Sequence, residues 1–205
     1  MKNLKYIWLA LILFPLVGMV SSCTEDESEE GEFDNWQAKN EAAIAEWAVN
    51  SSYTKILSYS MNADASDIKN SDYIYVEVLE EGDGTESPLY TDTCRVAYRG
   101  HYIPTASYPE GLVFDQNYID DFDWYTAGTS KFLVGAVVDG FATALMHMHV
   151  GDRWRVRIPY MLGYGKSDYN ASSSSTIPGY SNLVFEIAMY DMWHPGEYRS
   201  NYKSR

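Results

Sequence analysis

Hydrophobic and polar positions along this 205-residue chain change period several times. From Ile7 to Val20 the chain is almost continuously apolar, broken by Pro15 and Gly18. That run is shorter than the ~20 residues a membrane span needs. Over residues 35–49 the period is helical. Trp36, Ala43, Ile44 and Trp47 share one face, and Asp34 is placed to cap the start. This stripe either docks on the domain behind it or pairs two copies as a homodimer. From Asp72 the period becomes two: Ile74, Val76 and Val78 alternate with Tyr75, Glu77 and Leu79, which predicts a strand. Glu81-Gly82-Asp83-Gly84 predicts a turn. Further strands are predicted over about 93–103, 111–116 and 130–134. In the first, Arg95 and Arg99 alternate with Val96 and Tyr98. Residues 138–148 read as a short helix with Phe141, Leu145 and Met148 on one face. After Gly151, Arg153, Arg155 and Arg157 point to water, while Trp154, Val156 and Ile158 point to the core. Residues 163–181 hold Gly163, Gly165, Pro178, Gly179 and the run Ser172 to Ser175. They are predicted to be a long functional loop, followed by a last strand over 182–192. Antiparallel strands around one short internal helix make an α+β domain.

Lys2 and Lys5 precede the first apolar run, which stops at Val20-Ser21-Ser22-Cys23. Residues 1–22 are expected to be a secretory leader. Its end resembles the lipobox of bacterial lipoproteins, an apolar residue and two small ones before the cysteine that receives lipid. The resemblance implies that Cys23 is the lipidated N-terminus and holds the protein to a membrane by that anchor. It also implies a cell-envelope location, as an outer-membrane lipoprotein facing the periplasm or the surface. Seven acids lie between Glu25 and Asp34. Their mutual repulsion predicts a solvated, extended tether over 23–34. A helical N-terminal segment (35–71), the main domain (72–195) and a tail (196–205) complete the expected organisation. Cys94 is then the one unmodified cysteine, so no intrachain disulfide is expected.

The net charge of −14 argues against a grip on nucleic acid, which needs a basic face. It argues equally against adsorption on anionic lipid. The chain contains no nucleophile elbow, no phosphate-cradling glycine loop and no zinc-spaced Cys/His set. His147 and His149, two positions apart, would point to different faces of a helix. No metal and no cofactor is expected. The chain instead offers aromatic residues at element ends beside glycine-rich turns: Tyr98, Phe114-Asp115, Phe141, Tyr164 and Phe185. Together they suggest a pocket with an apolar floor and a few hydroxyl or carboxylate handles.

At these residues the chain resembles the FKBP family of peptidyl-prolyl cis–trans isomerases. Val96-Ala97-Tyr98-Arg99-Gly100 is similar to the family's V-x-Y-x-G strand, and Gly111-Leu112-Val113-Phe114-Asp115 to its G-x-x-F-D. Residues 132–141, from Phe132 to Phe141, resemble the F-x-V-x-x-V-I-x-G-W segment of the macrophage-infectivity-potentiator type. Met148 to Asp152, Ile158-Pro159 with Leu162-Gly163-Tyr164-Gly165, and Ile177-Pro178 with Leu183-Val184-Phe185 continue the series in order. The resemblance implies a five- or six-stranded antiparallel half-barrel around one short helix, with a proline pocket between them. It implies that Tyr98, Asp115, Phe141 and Tyr164 are the catalytic set. Phe141 would stand at the floor where tryptophan is usual, Asp115 would orient polar groups beside Tyr98, and Tyr164 would donate to a substrate carbonyl. Phe114, Val137, Val138, Ile177 and Phe185 would bind substrate, Ile177 at the rim and Val138 through its amide. The implied partners are proline-containing unfolded polypeptides of the cell envelope. The stretch between Asp115 and Phe132 is longer than usual, with Tyr118, Phe122, Trp124 and Tyr125 among acids. It either adds a peptide-contact surface or covers the pocket. With Phe141, it motivates the alternative of a catalytically weak peptide-binding chaperone or interaction lipoprotein; a further reading has Trp124 and Tyr125 gripping glycans. Phe132 is left undecided.

Overall fold

Period-two segments pair only with other extended segments, and here they assemble into one antiparallel sheet. The computed structural model describes residues 31–172 and 175–197. The leader, Cys23, the start of the tether and most of the tail lie outside the described residues. β2 (Tyr73–Glu80), β6 (Arg153–Ile158), β9 (Leu183–Trp193) and β3 (Thr93–His101) lie side by side in that order. β1 (Thr54–Leu57) extends the β2 edge. On the far edge, β5 (Ser130–Leu133) and β4 (Val113–Gln116) pair with successive halves of β3, so the sheet is six strands wide. Two α-helices accompany it: α1 (Trp36–Val49) and the internal α2 (Asp139–Leu145). This is the predicted α+β architecture.

Residues 140–145 of α2 are all buried. A Cβ on Gly140 would come within 2.3 Å of Ile158 Cγ2, so glycine sets how closely α2 meets β6. Phe141, Leu145 and Met148 are buried as their spacing predicts, and β6 alternates as expected.

Local patterning misled in several places. The segment 35–71 is not helical throughout, because β1 joins the sheet. Thr54 and Lys55 are exposed and Ile56 and Leu57 half-buried, so β1 carries no clean alternation. Asp34 does not cap α1. Asn35 takes that position with φ 54°, and the Asp34 carboxylate accepts the Gly31 N–H instead. The end of the tether is docked rather than solvated: Phe33 meets Trp36 and Tyr102 edge-on, and the Thr105 hydroxyl donates to Glu32. Val78 is 44% exposed although it shares the parity of Ile74 and Val76 and pairs in register with Trp154; the β2–β6 register shifts just beyond it. The loop 163–181 contains a hairpin, β7 (Tyr169–Ser172) with β8 (Ser175–Ile177).

The buried stripe of α1 is Trp36, Asn40, Ile44 and Trp47. It docks on its own chain and is not left free to pair two copies. Trp47 packs on Tyr75, which β2 presents opposite Ile74 and Val76. The Trp36 indole N–H donates to Ser181 Oγ at 2.8 Å. Asn40 Oδ1 accepts the Asn182 N–H at 2.8 Å, and Asn182 Nδ2 donates to the Asn40 carbonyl at 2.7 Å. A buried amide is tolerable only when its groups are paired, and here they are.

Candidate active site

β3 places Tyr98 between the sheet and α2, and β4 brings Asp115 beside it. The Tyr98 hydroxyl donates to Asp115 Oδ2 at 2.8 Å. The Tyr98 backbone sits where β4 and β5 part, and there Asn117 substitutes for the missing neighbour. The Tyr98 N–H donates to Asn117 Oδ1, the Asn117 N–H donates to the Tyr98 carbonyl, and Asn117 Nδ2 donates to the Val96 carbonyl. Sequence reasoning missed Asn117, since its partners on β3 lie about twenty positions upstream and nothing local marks them.

Phe141, in the first turn of α2, meets Phe185 edge-on at 5.0 Å, Phe132 at 6.1 Å and Tyr98 at 6.3 Å. These distances suit edge-to-face attraction. A Cβ on Gly100 would lie 2.5 Å from the Phe185 ring and 2.8 Å from Phe114. The glycine of the V-x-Y-x-G strand is therefore where the rings press on the backbone.

The rings enclose a hollow of about 480 Å³ lined by Tyr98, Asp115, Val137, Val138, Phe141, Tyr164 and Phe185, together with Phe132, Ala136 and Tyr169. Phe114 and Ile177 do not line it. Phe114 stacks on Tyr102 at 5.0 Å and meets Phe185 edge-on at 5.5 Å, so it backs the wall from behind. Ile177 is 3% exposed and sits in the core. Its register partner across the hairpin, Tyr169, takes the rim and stacks on Tyr164 at 4.3 Å. Tyr169 lies in a polar, serine-rich stretch with no apolar period to mark it. Phe132 could be read from the alternation of β5, whose other face turns Lys131 and Leu133 to solvent.

The long loop after β4 leaves the hollow open. Tyr118, Phe122 and Trp124 pack with Ala97, Ala188 and Tyr190 in a second, smaller core. Ala97 alternates with Val96 and Tyr98, so this core covers the opposite face of β3. Arginines of the sheet hold the loop there. Arg99 donates to the Tyr118 and Asp120 carbonyls and lies over the Tyr118 ring, and Arg153 lies over Phe122. The Trp124 indole donates to Glu80 at 2.8 Å and its ring packs on Tyr190, so Trp124 is a packing residue.

Burial, then the hydrogen bond to Asp115, pushes the Tyr98 phenol well above its usual range. Burial, then the neighbouring Tyr169 and Asp115, raises Tyr164. Both hydroxyls keep their protons at neutral pH and act as donors. Among the described residues no cluster of three or more His, Cys, Asp or Glu side chains could hold a metal ion.

A sequence model of FKBP-type peptidyl-prolyl cis-trans isomerases matches residues 84–190, a range that contains every residue lining the hollow. The chain belongs to this family. The FKBP-type chain is 34% identical over 115 residues to the FKBP-type 22 kDa peptidyl-prolyl cis-trans isomerase of Escherichia coli, covering 56% of this chain and 48% of that one. It is 30% identical over 122 residues to the Macrophage infectivity potentiator of Trypanosoma cruzi, covering 60% and 54%. It thus spans about half the length of these curated relatives. Among solved structures, the FKBP fold aligns with a peptidyl-prolyl cis-trans isomerase from Pseudomonas syringae at a TM-score of 0.55 and 22% identity, over 79% of this chain and 96% of that one. It aligns with FkpA from Escherichia coli at 0.54 and 25%, over 78% and 60%.

Proposed function

We propose that this FKBP-type domain is an active isomerase of Xaa-Pro bonds in unfolded polypeptides. One observation carries the reading: the hollow is open, more apolar than polar and ringed by aromatics, and the long loop that could have plugged it packs on the opposite face of the sheet. Resonance holds an Xaa-Pro amide planar behind a barrier of ~18–20 kcal/mol. Twisting the bond by about 90° ends that conjugation and leaves a less polar amide. An apolar cavity stabilises the twisted amide more than the planar one, and a catalyst needs only that difference. Phe141, Phe185 and Tyr98 hold the prolyl ring, Tyr164 donates to the substrate carbonyl, and Asp115 fixes the Tyr98 hydroxyl. The Val138 amide, just ahead of α2, bonds the peptide backbone. No nucleophile and no cofactor is needed.

Exchange spectroscopy on an Xaa-Pro peptide tests this. Wild type accelerates exchange, and kcat/KM stays flat from about pH 6 to about pH 9 because both phenols remain protonated. Tyr164→Phe lowers kcat/KM about tenfold, the equivalent of one hydrogen bond. Peptide binding without acceleration would instead favour the binding-module reading, and delayed folding of a proline-free client would identify chaperone action.

We also infer that Cys23 carries lipid and that the clients are cell-envelope proteins whose folding waits on proline isomerisation. The short apolar run ending in Val20-Ser21-Ser22-Cys23 supports this. The Cys23→Ala protein is expected to leave the membrane fraction on cell fractionation, and retention there would refute the anchor.

A further inference from the structure

We propose that Tyr59 and Tyr90 form an aromatic shelf beside the pocket mouth, which holds an apolar or aromatic side chain of the same polypeptide whose proline is in the hollow. The proposal rests on the isomerase reading of the hollow and adds a specificity subsite to it.

The segment from Gly135 to Asp139 is a wall with two users. Ala136, Val137 and Val138 line the hollow, and Ala136 is exposed at its mouth. The two tyrosines fasten to the same segment. The Gly135 N–H donates to the Tyr90 carbonyl at 3.0 Å, and the Tyr90 hydroxyl donates to the Gly135 carbonyl at 3.3 Å. A Cβ on Gly135 would lie 2.6 Å from the Tyr90 ring. The Tyr59 hydroxyl donates to Asp139 Oδ1 at 3.1 Å, and its N–H donates to Thr143 Oγ1 of α2. The two rings lie 5.3 Å apart at 45°.

Anchored at both ends, these rings still show much of their surface. Tyr59 is 36% exposed, Tyr90 46%, and the adjoining Leu89 59%. An exposed tyrosine usually keeps its rotamer freedom and loses it on binding. Here the hydroxyls already hold the rings, so a ligand side chain meets a preorganised surface. The occupant is the client's own chain, because the segment that walls the mouth with Ala136, Val137 and Val138 is the one to which both tyrosines are fastened. At ~3.3 Å per extended residue, side chains two to four residues from the proline reach roughly 7–13 Å from it. A second copy of this chain is disfavoured by the net charge of −14, which makes copies repel.

The test uses the whole protein and two kinds of Xaa-Pro peptide: a tetrapeptide, and a longer series with phenylalanine two to four positions from the proline on either side. Wild type is expected to favour the best long peptide in KM by about three- to tenfold, in line with an aromatic contact. Tyr59→Ser with Tyr90→Ser removes that preference, while Tyr59→Phe with Tyr90→Phe keeps the rings and retains part of it. Thermal melts establish that the variants are folded. If wild type accelerates neither peptide, the isomerase reading itself fails. If it accelerates both, and the preference is absent or survives the serine pair, the shelf alone fails. Concentration-dependent dimers of wild type that vanish in the serine pair would also overturn it.

Discussion

Phe141→Ala is expected to cost about 3–5 kcal/mol of stability and to lower kcat/KM by at least about 100-fold in protein that is still folded. The stability loss comes from a cavity under three rings. Phe141 touches Phe185, Phe132 and Tyr98, and none of these can fill the gap without leaving its own contacts. The activity loss has a different origin. Without the ring the hollow has no apolar floor, water enters, and the twisted amide is no longer favoured over the planar one. Phe141→Leu tests this account, since it keeps apolar volume at the floor and removes only the aromatic edge. It should retain most of the stability and far more of the activity than Phe141→Ala. Urea unfolding gives the first quantity and exchange spectroscopy at a temperature below the melt gives the second. A folded Phe141→Ala protein with wild-type turnover would show that the floor has no part in the reaction.

Asn182→Leu should destabilise the protein by about 2–5 kcal/mol and weaken the pocket rim from a distance. Asn182 has no exposed surface. Its Oδ1 accepts the Tyr160 N–H and its Nδ2 donates to the Asn40 carbonyl, so leucine leaves the buried Tyr160 N–H without an acceptor and strips the Asn40 carbonyl of the donor it holds beside its intrahelical bond. Tyr160 in turn holds the turn that carries Tyr164, because its carbonyl accepts the Gly163 and Gly165 N–H groups. Residues 178–182 are held to α1 by the Trp36–Ser181 and Asn40–Asn182 bonds. The expected signature is faster amide exchange at Gly163 and Gly165 and a raised KM, as well as a lower midpoint in urea. A variant with an unchanged midpoint would mean that α1 does not brace the rim.

How much of the site could be read in advance depended on where each residue's partners lie. Tyr98, Asp115 and Phe141 sit in motifs whose spacing is set by a strand or a single helical turn, and they meet as expected. Ile177 and Tyr169 show the opposite case. They belong to a short polar hairpin, and which of the two faces the hollow depends on how that hairpin folds back over the rest of the fold. The loop after β4 was the larger ambiguity. By composition its aromatics suit an added peptide-contact surface or a cover over the pocket, and nothing local marks a second core. Sheet arginines on the far face, together with the small residues Ala97 and Ala188, settled it as a second core.

What the chain determined by itself was the α+β class, the course of β2, β3, β6 and β9, the position of α2 and the aromatic set around Tyr98 and Phe141. Period-two alternation, helical spacing and turn glycines all act within a few residues. Tertiary structure decided that β1 joins the sheet, that α1 lies on its own chain, that the long loop leaves the hollow open and that Tyr59 reaches Tyr90. Each of these depends on surfaces supplied by distant parts of the chain, as in the Asn40–Asn182 contact across 142 positions. A local pattern records which side of a segment is apolar, and only the packed fold selects what covers it.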